Sequence, residues 1–298
     1  MTTPSAVATP RASPARRLAA ALYRRPRIQV AALLAAPVGW LVIAYLGSLA
    51  IFLVSSFWSV DSLSGNIITQ PTLANYQRIL TGSVYPVITA RTVIMAAAVT
   101  LTCIVLAFPI AFYMARIASS RTRGLLIVSI LLPLWSGYLV KAYAWRVILS
   151  EGGIINWILG PTGLKGPGFG DIAVWIVFSY LWLPFMILPI YAGLERIPES
   201  LLEASGDLGG QPGTTFRRVI LPLALPGIVA GSIFTFSLTL GDYITPDLVS
   251  DAKFIGNVIY DNSSLGNLPL AAAYSLLPIL IMTVYLLVAR RLGAFESL

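Results

Sequence analysis

Glu203–Pro222 reads EASGDLGGQPGTTFRRVILP, a patterned polar interruption in an otherwise very apolar chain. Just upstream and within it, Ile197, Leu201, Leu202 and Leu208 recur at helical spacing, which predicts a short amphipathic helix over Pro198–Leu208. Pro198 suits the first helical position, where no amide hydrogen is needed, and Glu199 suits the positive end of the helix dipole. Gly209-Gly210 ends that helix, because glycine enters the left-handed region without a Cβ clash. Gln211-Pro212 starts a second short helix over Gly213–Val219, and Leu221-Pro222 returns the chain to an apolar run. A helix–glycine–helix unit between two apolar runs is the layout of a docking surface. An ordinary interfacial helix joining two spans explains the amphipathicity equally well, but not the spacing of the glycines and prolines.

The surroundings are those of a membrane protein. Of 298 residues, 57% are hydrophobic and only 11% charged, against about 25% charged in a soluble domain. Six runs are long enough for a hydrocarbon core that needs about 20 apolar residues: Val30–Phe57, Thr92–Met114, Leu125–Leu149, Ile172–Leu194, Leu221–Leu240 and Leu268–Ala289. Lys141 and Arg146 interrupt the third, which is expected to tilt or let both cations snorkel. Pro37 and Gly39 are expected to kink the first, and Arg91 to mark the outer edge of the second. The expected fold class is therefore an all-α membrane protein.

Charge orients the spans. Arg116, Arg121, Arg123, Arg196, Arg217, Arg218, Arg290 and Arg291 fall on one side, together with an Ala/Pro/Ser-rich stretch over residues 1–27 that carries six arginines. Asp61, Glu151, Asp171, Asp242, Asp247, Asp251 and Asp261 fall on the other. The positive-inside rule places both termini and the Glu203 loop in the cytoplasm. Residues 1–27 read as a disordered basic tail rather than a cleaved signal, since the apolar run that follows is too long. The net charge of +8 thus reflects cytoplasmic arginines, and nucleic acid is not an expected partner. With no His and a single Cys, Cys103, neither a His-based zinc site nor a disulfide is expected.

The loop now carries a resemblance. Glu203-Ala204, Gly209 and Leu221-Pro222 stand in register with the E-A-A, three residues, G, nine residues, I-x-L-P loop of membrane subunits of bacterial ABC importers. Ser205 replaces the usual second Ala, and Val219 the usual Ile. The resemblance implies a six-helix transmembrane bundle of the type I importer permease kind, with the permease domain over residues 28–291, a coupling loop over 195–220 and a cytoplasmic end over 292–298. It implies that Glu203, Ala204, Ser205, Asp207, Gly209, Phe216 and Arg217 meet a cytoplasmic ATPase subunit. It further implies a second permease subunit in a heterodimer, an extracytoplasmic solute-binding protein, a surrounding lipid bilayer of the bacterial cell membrane, and no cofactor of the chain's own. No G-x-x-x-x-G-K-[ST] loop occurs, and Gly160–Gly166 has the wrong spacing for one, so ATP chemistry is expected on another chain. No catalytic set or metal-ligand spacing is present either, so an intramembrane enzyme is a poor reading. A secondary transporter, which would show inverted repeats and mid-membrane charges, and a purely structural assembly protein are the competing readings.

Three further stretches resemble spermidine and putrescine permeases. Pro133, Trp135, Leu139, Val140, Tyr143, Ala144 and Trp145 lie in the order of one family run, with Lys141 where Arg is usual. Gly241-Asp242-Tyr243-Ile244-Thr245-Pro246 is similar to a second, and Asn267-Leu268-Pro269 to a third. The resemblance implies polyamine transport, along a path with Asp242 and the aromatic residues Trp135, Tyr138, Tyr143, Trp145 and Tyr243. The alternatives stay open here: an aromatic belt at the outer interface, and a carboxylate at the first exposed position after a helix.

The topology is testable by labelling. Cysteines introduced at Ser64 and Asn262 are expected to react with an impermeant thiol reagent in intact cells, and one at Ser119 to be protected; the opposite pattern reverses the orientation.

Overall fold

In the computed structural model, residues 26–61 and 63–291 are described. The tail over 1–27 and the end over 292–298 therefore lie wholly or almost wholly outside the described residues. The chain divides into two compact units, Met1–Val54 and Ser55–Leu298. The first consists of α1 (Pro26–Trp40), a wide π turn over Leu41–Leu46, and α2 (Gly47–Ser55), which runs to the boundary. Pro37, which lacks an amide hydrogen, is carried inside α1, and the wider turn follows it.

The second unit opens with a two-residue hairpin, β1 (Ser59–Val60) paired antiparallel with β2 (Ile67–Ile68), and then α3 (Ala74–Thr81). Asn75 secures this segment: its amide donates to the carbonyls of Ser56 (2.9 Å) and Trp58 (2.7 Å). Four long helices follow: α4 (Val84–Arg116), α8 (Asp171–Glu195), α11 (Leu221–Gly241) and α14 (Leu268–Arg291). Between them lie α5 (Ser120–Trp135), α6 (Tyr138–Leu149) and α7 (Ile154–Leu159), then α9 (Glu199–Asp207) and α10 (Pro212–Thr215). Two short helices, α12 (Ile244–Val249) and α13 (Ile255–Ser264), precede α14.

Small residues let α4, α8 and α11 approach closely. On α4, Ala96, Val99, Cys103, Ala107, Ala111 and Met114 form a fully or almost fully buried stripe at three- and four-residue spacing. On the facing pair, a Cβ added at Gly227 would come within 2.5 Å of the Pro189 carbonyl oxygen, and one at Gly231 within 2.8 Å of Met186 Sδ. A second buried cluster joins Ile88 and Ala96 of α4, Phe236 and Leu240 of α11, Ile255 of α13, and Leu270 and Tyr274 of α14. Asn267 accepts from the Leu270 amide at 3.3 Å and caps α14, a structural use for the Asn-Leu-Pro run.

One expectation needs correction. The third run is not one tilted span. Among the described residues five helices are long and apolar enough to cross a membrane, and α5 with the segment from Tyr138 makes a sixth crossing only as a pair bent by 92°. Pro133 removes one amide from the end of α5, and Ser136 and Gly137 are extended (ψ 140° in both), so the helix stops and restarts. The second helix continues past its apolar run: α4 begins eight residues before Thr92 and carries Arg91 3.9 Å from Asp171. Its 33 residues outlast a hydrocarbon core, so a place for Arg91 at the membrane edge is consistent with the helix. Smaller differences sit in the loop, where Pro198 is the N-cap residue rather than the first helical one, and the second helix tightens over Pro212–Thr215 before a π segment, Phe216–Ile220.

Gly227→Val is expected to force α8 and α11 apart at a cost of about 1–3 kcal/mol, the usual range for overpacking. It should lower the thermal midpoint in detergent, whereas Gly206→Ala, whose added Cβ meets nothing within 4 Å, should leave it unchanged or higher.

Candidate functional site

The loop expected to dock a partner is built as a bent pair of short helices. α8 ends at Glu195, the buried Ile197 pins the junction, and α9 runs from Glu199 to Asp207. Gly209 adopts φ +75°, the left-handed turn its position requires, and the Gly210 amide donates to the Ser205 carbonyl at 2.8 Å. Of the residues expected to meet an ATPase, Glu203, Ala204, Asp207 and Arg217 are exposed. Two others turn inward. Ser205 Oγ lies 2.8 Å from Thr215 Oγ1 and braces α9 against α10, and the Phe216 ring meets Phe108 of α4 edge-on at 5.5 Å. The amphipathic stripe is also divided: Leu202 packs towards the core, while Leu208 is 89% exposed. Leu201, Ala204, Ser205, Leu208, Gly210 and Thr214 line a recess of about 350 Å³ between the two short helices.

At the opposite end of α11, Asp242 organises a junction. Its Oδ1 accepts from the amides of Ile244 (2.8 Å) and Thr245 (3.1 Å), capping α12. Its Oδ2 accepts from the Tyr138 hydroxyl at 2.5 Å, and that hydroxyl also lies 2.7 Å from Thr245 Oγ1. The first residue of the restarted helix α6 is thus tied to the end of α11. The Tyr138 ring stacks on Trp182 of α8, with centroids 6.1 Å apart. Tyr243 stacks on Tyr260 at 4.3 Å, and its carbonyl accepts from the side-chain amide of the buried Asn257 at 2.8 Å.

The structure therefore gathers Asp242, Tyr138 and Tyr243, but not the other three aromatic residues. Trp135 is 91% exposed, Tyr143 is 54% exposed, and Trp145 meets Tyr180 at 5.3 Å. Arg146 lies over the Phe169 ring at 5.9 Å, and among the described residues neither it nor Lys141 is ion-paired with Asp242 or Glu151. Sequence reasoning missed Thr245, Trp182 and Asn257. Asn257 accepts the Phe254 amide at 3.1 Å, half of a capping box, but Phe254 lacks the side-chain oxygen of the other half, so no sequence signature marked it.

The family model described as "Binding-protein-dependent transport system inner membrane component" matches residues 107–295. The chain belongs to that family. The inner membrane ABC transporter permease protein YdcU of Escherichia coli (strain K12) is 44% identical over 293 residues, covering 93% of each chain. The spermidine/putrescine transport system permease protein PotB of the same strain is 34% identical over 259 residues, covering 84% of this chain and 93% of its own. Two crystal structures share the fold: a bacterial ABC transporter for import of the acidic polysaccharide alginate (TM-score 0.71, 18% identity, 92% of this chain and 97% of that one), and the alginate transporter with a pentasaccharide-bound periplasmic protein (0.74, 17%, 93% and 97%). The chain is thus a multi-pass inner-membrane permease subunit of an ABC importer, a transport component rather than an enzyme.

Tyr138→Phe deletes the hydroxyl that joins α6 to Asp242. A hydrogen bond to a charged group contributes about 1.5–3 kcal/mol, so the permease is expected to unfold at lower temperature, with Tyr143→Phe, which removes an exposed hydroxyl, as the neutral comparison.

Proposed function

We propose that this permease forms half of the pore of an ATP-driven polyamine importer, with both termini in the cytoplasm and the 195–220 loop seated on a cytoplasmic ATPase subunit. A second, non-identical permease subunit completes the pore, and an extracytoplasmic binding protein delivers the substrate. The docking reading rests on the loop's geometry. Glu203, Ala204 and Asp207 stand exposed along one short helix, and the left-handed Gly209 turn sets that helix against α10. Leu208, apolar and almost fully exposed at the end of α9, fits a contact that a partner covers.

The polyamine reading is supported by the similarity to PotB and by the chemistry at the Asp242 end. Tyr260 is 49% exposed and its stacked partner Tyr243 adjoins Asp242, so the pair offers an aromatic face to an ammonium group. Nearby, Lys253 sits 3.1 Å from Asp261 and 3.4 Å from Asp247, and the bond to Asp261 raises its ammonium above the usual lysine range. Asp251, Asp261 and Asp247 lend this end of the molecule an acidic character that concentrates cations. Within this path Asp242, engaged by three donors, acts through the placement of Tyr138 and Tyr243. Trp135, Tyr143 and Trp145 belong to the same path only through contacts that a second subunit would add.

Reconstitution tests both halves of the reading. Proteoliposomes holding the two permeases, the ATPase and the binding protein are expected to accumulate spermidine or putrescine only with ATP; uptake of neither overturns the substrate class. Glu203→Lys is expected to weaken ATPase association by about 2 kcal/mol, roughly 30-fold, as reversal of an interfacial charge does. Gly209→Val, which must hold a β-branched residue at positive φ, should act in the same direction. Unchanged ATPase binding by both variants overturns the docking assignment.

A further inference from the structure

Two arginines, one on α4 and one on α5, and one glutamate of α8 tie these three helix ends together. Arg116, the last residue of α4, donates from Nη2 to the carbonyls of Leu194 and Ile197, each at 2.7 Å. The Leu194 carbonyl, at the end of α8, also accepts the Ile197 amide at 3.3 Å, whereas the Ile197 carbonyl lies in the link beyond the helix's own amides. Pro198, next in the chain, has no amide hydrogen to offer. A cation at this position also suits the negative end of the helix dipole. In return, Arg123 donates from Nε to the Met114 carbonyl (3.0 Å) at the end of α4, and its Nη1 reaches Glu195, the last residue of α8, at 3.5 Å. Glu195 also accepts from the Tyr191 hydroxyl at 2.8 Å. The end of α8 is thus capped by a side chain of α4, and the end of α4 by a side chain from the first turn of α5 that also reaches α8. Ile197 is the midpoint of the three-residue link between Glu195 and Glu199, so the cap lies at the root of α9.

We infer that Arg116 is a positioning residue for energy coupling: it holds the root of the docking helix rigidly on α4 as well as α8, so that a displacement of α9 moves both transmembrane helices together. The geometry explains why two helices must share the load. α9 follows α8 directly, and while Phe216 on Phe108 ties the far side of the loop to α4, at the root it is Arg116 that gives the Ile197 carbonyl its partner where the chain turns. Both carbonyls are served by the two hydrogens of one guanidinium nitrogen at the end of a stem that crosses between helices, while Nε is buried without a partner. The consequence for coupling rests on the ATPase-docking reading of the loop, whereas the rigidity itself is a property of this chain.

Spin labels test the two separately. In a Cys103→Ala background, cysteines are placed at Ile117 and Ser200, both exposed, one just beyond α4 and one in α9. Interlabel distances are read by pulsed electron resonance, first in the permease alone in nanodiscs and then in the complex with ATPase subunits, ATP and vanadate. A narrow distribution is expected in both states for Arg116. Arg116→Met, which keeps the stem and removes the donors, is expected to lose it while retaining ATPase binding, and to hydrolyse ATP with little accompanying spermidine uptake. Arg116→Lys, with one shorter point charge, should lie between them and carries the test where the methionine variant does not assemble. An unchanged narrow distribution in either assembled variant overturns the inference. Failure of the parent permease to bind the ATPase overturns only the docking reading, because the nanodisc measurement needs no ATPase.

Discussion

A backbone amide or carbonyl surrounded by hydrocarbon must find its partner inside the protein, since an unsatisfied one costs several kcal/mol. This chain interrupts its helices repeatedly, and at the interruptions described above a particular side chain takes up the freed groups. Asp242 accepts the two amides that open α12. Asn257 takes the Phe254 amide and gives its own amide to the Tyr243 carbonyl. Ser136 donates to the Pro133 carbonyl at the break between α5 and α6. Thr92 of α4 accepts the Ile255 amide at the start of α13. Non-helical backbone is tolerated here because these side chains satisfy it.

The same economy governs the distances between helices. Without a hydrophobic difference between lipid tails and leucine, helices associate through close packing and interhelical hydrogen bonds. The alanine stripe of α4 and the glycines of α11 supply the first, since Gly227 and Gly231 bring α11 against the Pro189 backbone and Met186. The second occurs along the helices as well as at their ends: Tyr285 donates to Ser232, midway along α11, at 2.8 Å, Trp175 to Thr102 of α4 at 3.0 Å, and Tyr138 to Asp242. Close packing with polar ties across it leaves the 195–220 loop attached to a stiff support.

Much of this was legible beforehand, and unevenly. Apolar run lengths located the long helices to within a few residues at most ends, because span length is set by the bilayer rather than by neighbours. The glycine at 209 and the proline at 212 marked the loop's turn and second helix, because both act through local backbone sterics. The broken third span was not legible. Lys141 and Arg146 drew attention to its second half, but the break falls earlier, at Ser136 and Gly137, where Pro133 ends one helix and Tyr138 starts the next by reaching Asp242 more than a hundred residues away. The extra turns of α4 before Thr92 were not legible either, because the apolar run stops at Arg91 while the helix continues to Val84, with Asp171 of a distant segment beside Arg91.

Sequence by itself determined the membrane class, the long helices and the polar loop, since each follows from composition, run length or a local backbone preference. Its ordered motifs also pointed to the importer-permease family. Tertiary structure alone decided which polar residues work together. Asp242 emerged as a cap and a tie because Tyr138 and two backbone amides converge on it; three of the aromatic residues grouped with it in sequence instead face elsewhere. Ser205 and Phe216, adjacent to exposed loop residues in the chain, turn inward because Thr215 and Phe108 are there to receive them. Arg116 and Arg123 read in sequence only as cytoplasmic charge, and the pairing of helix ends gave each a specific acceptor. The physical reason is common to all of them: periodicity and charge are properties of a segment, whereas a hydrogen bond across helices depends on where two distant segments are brought by packing.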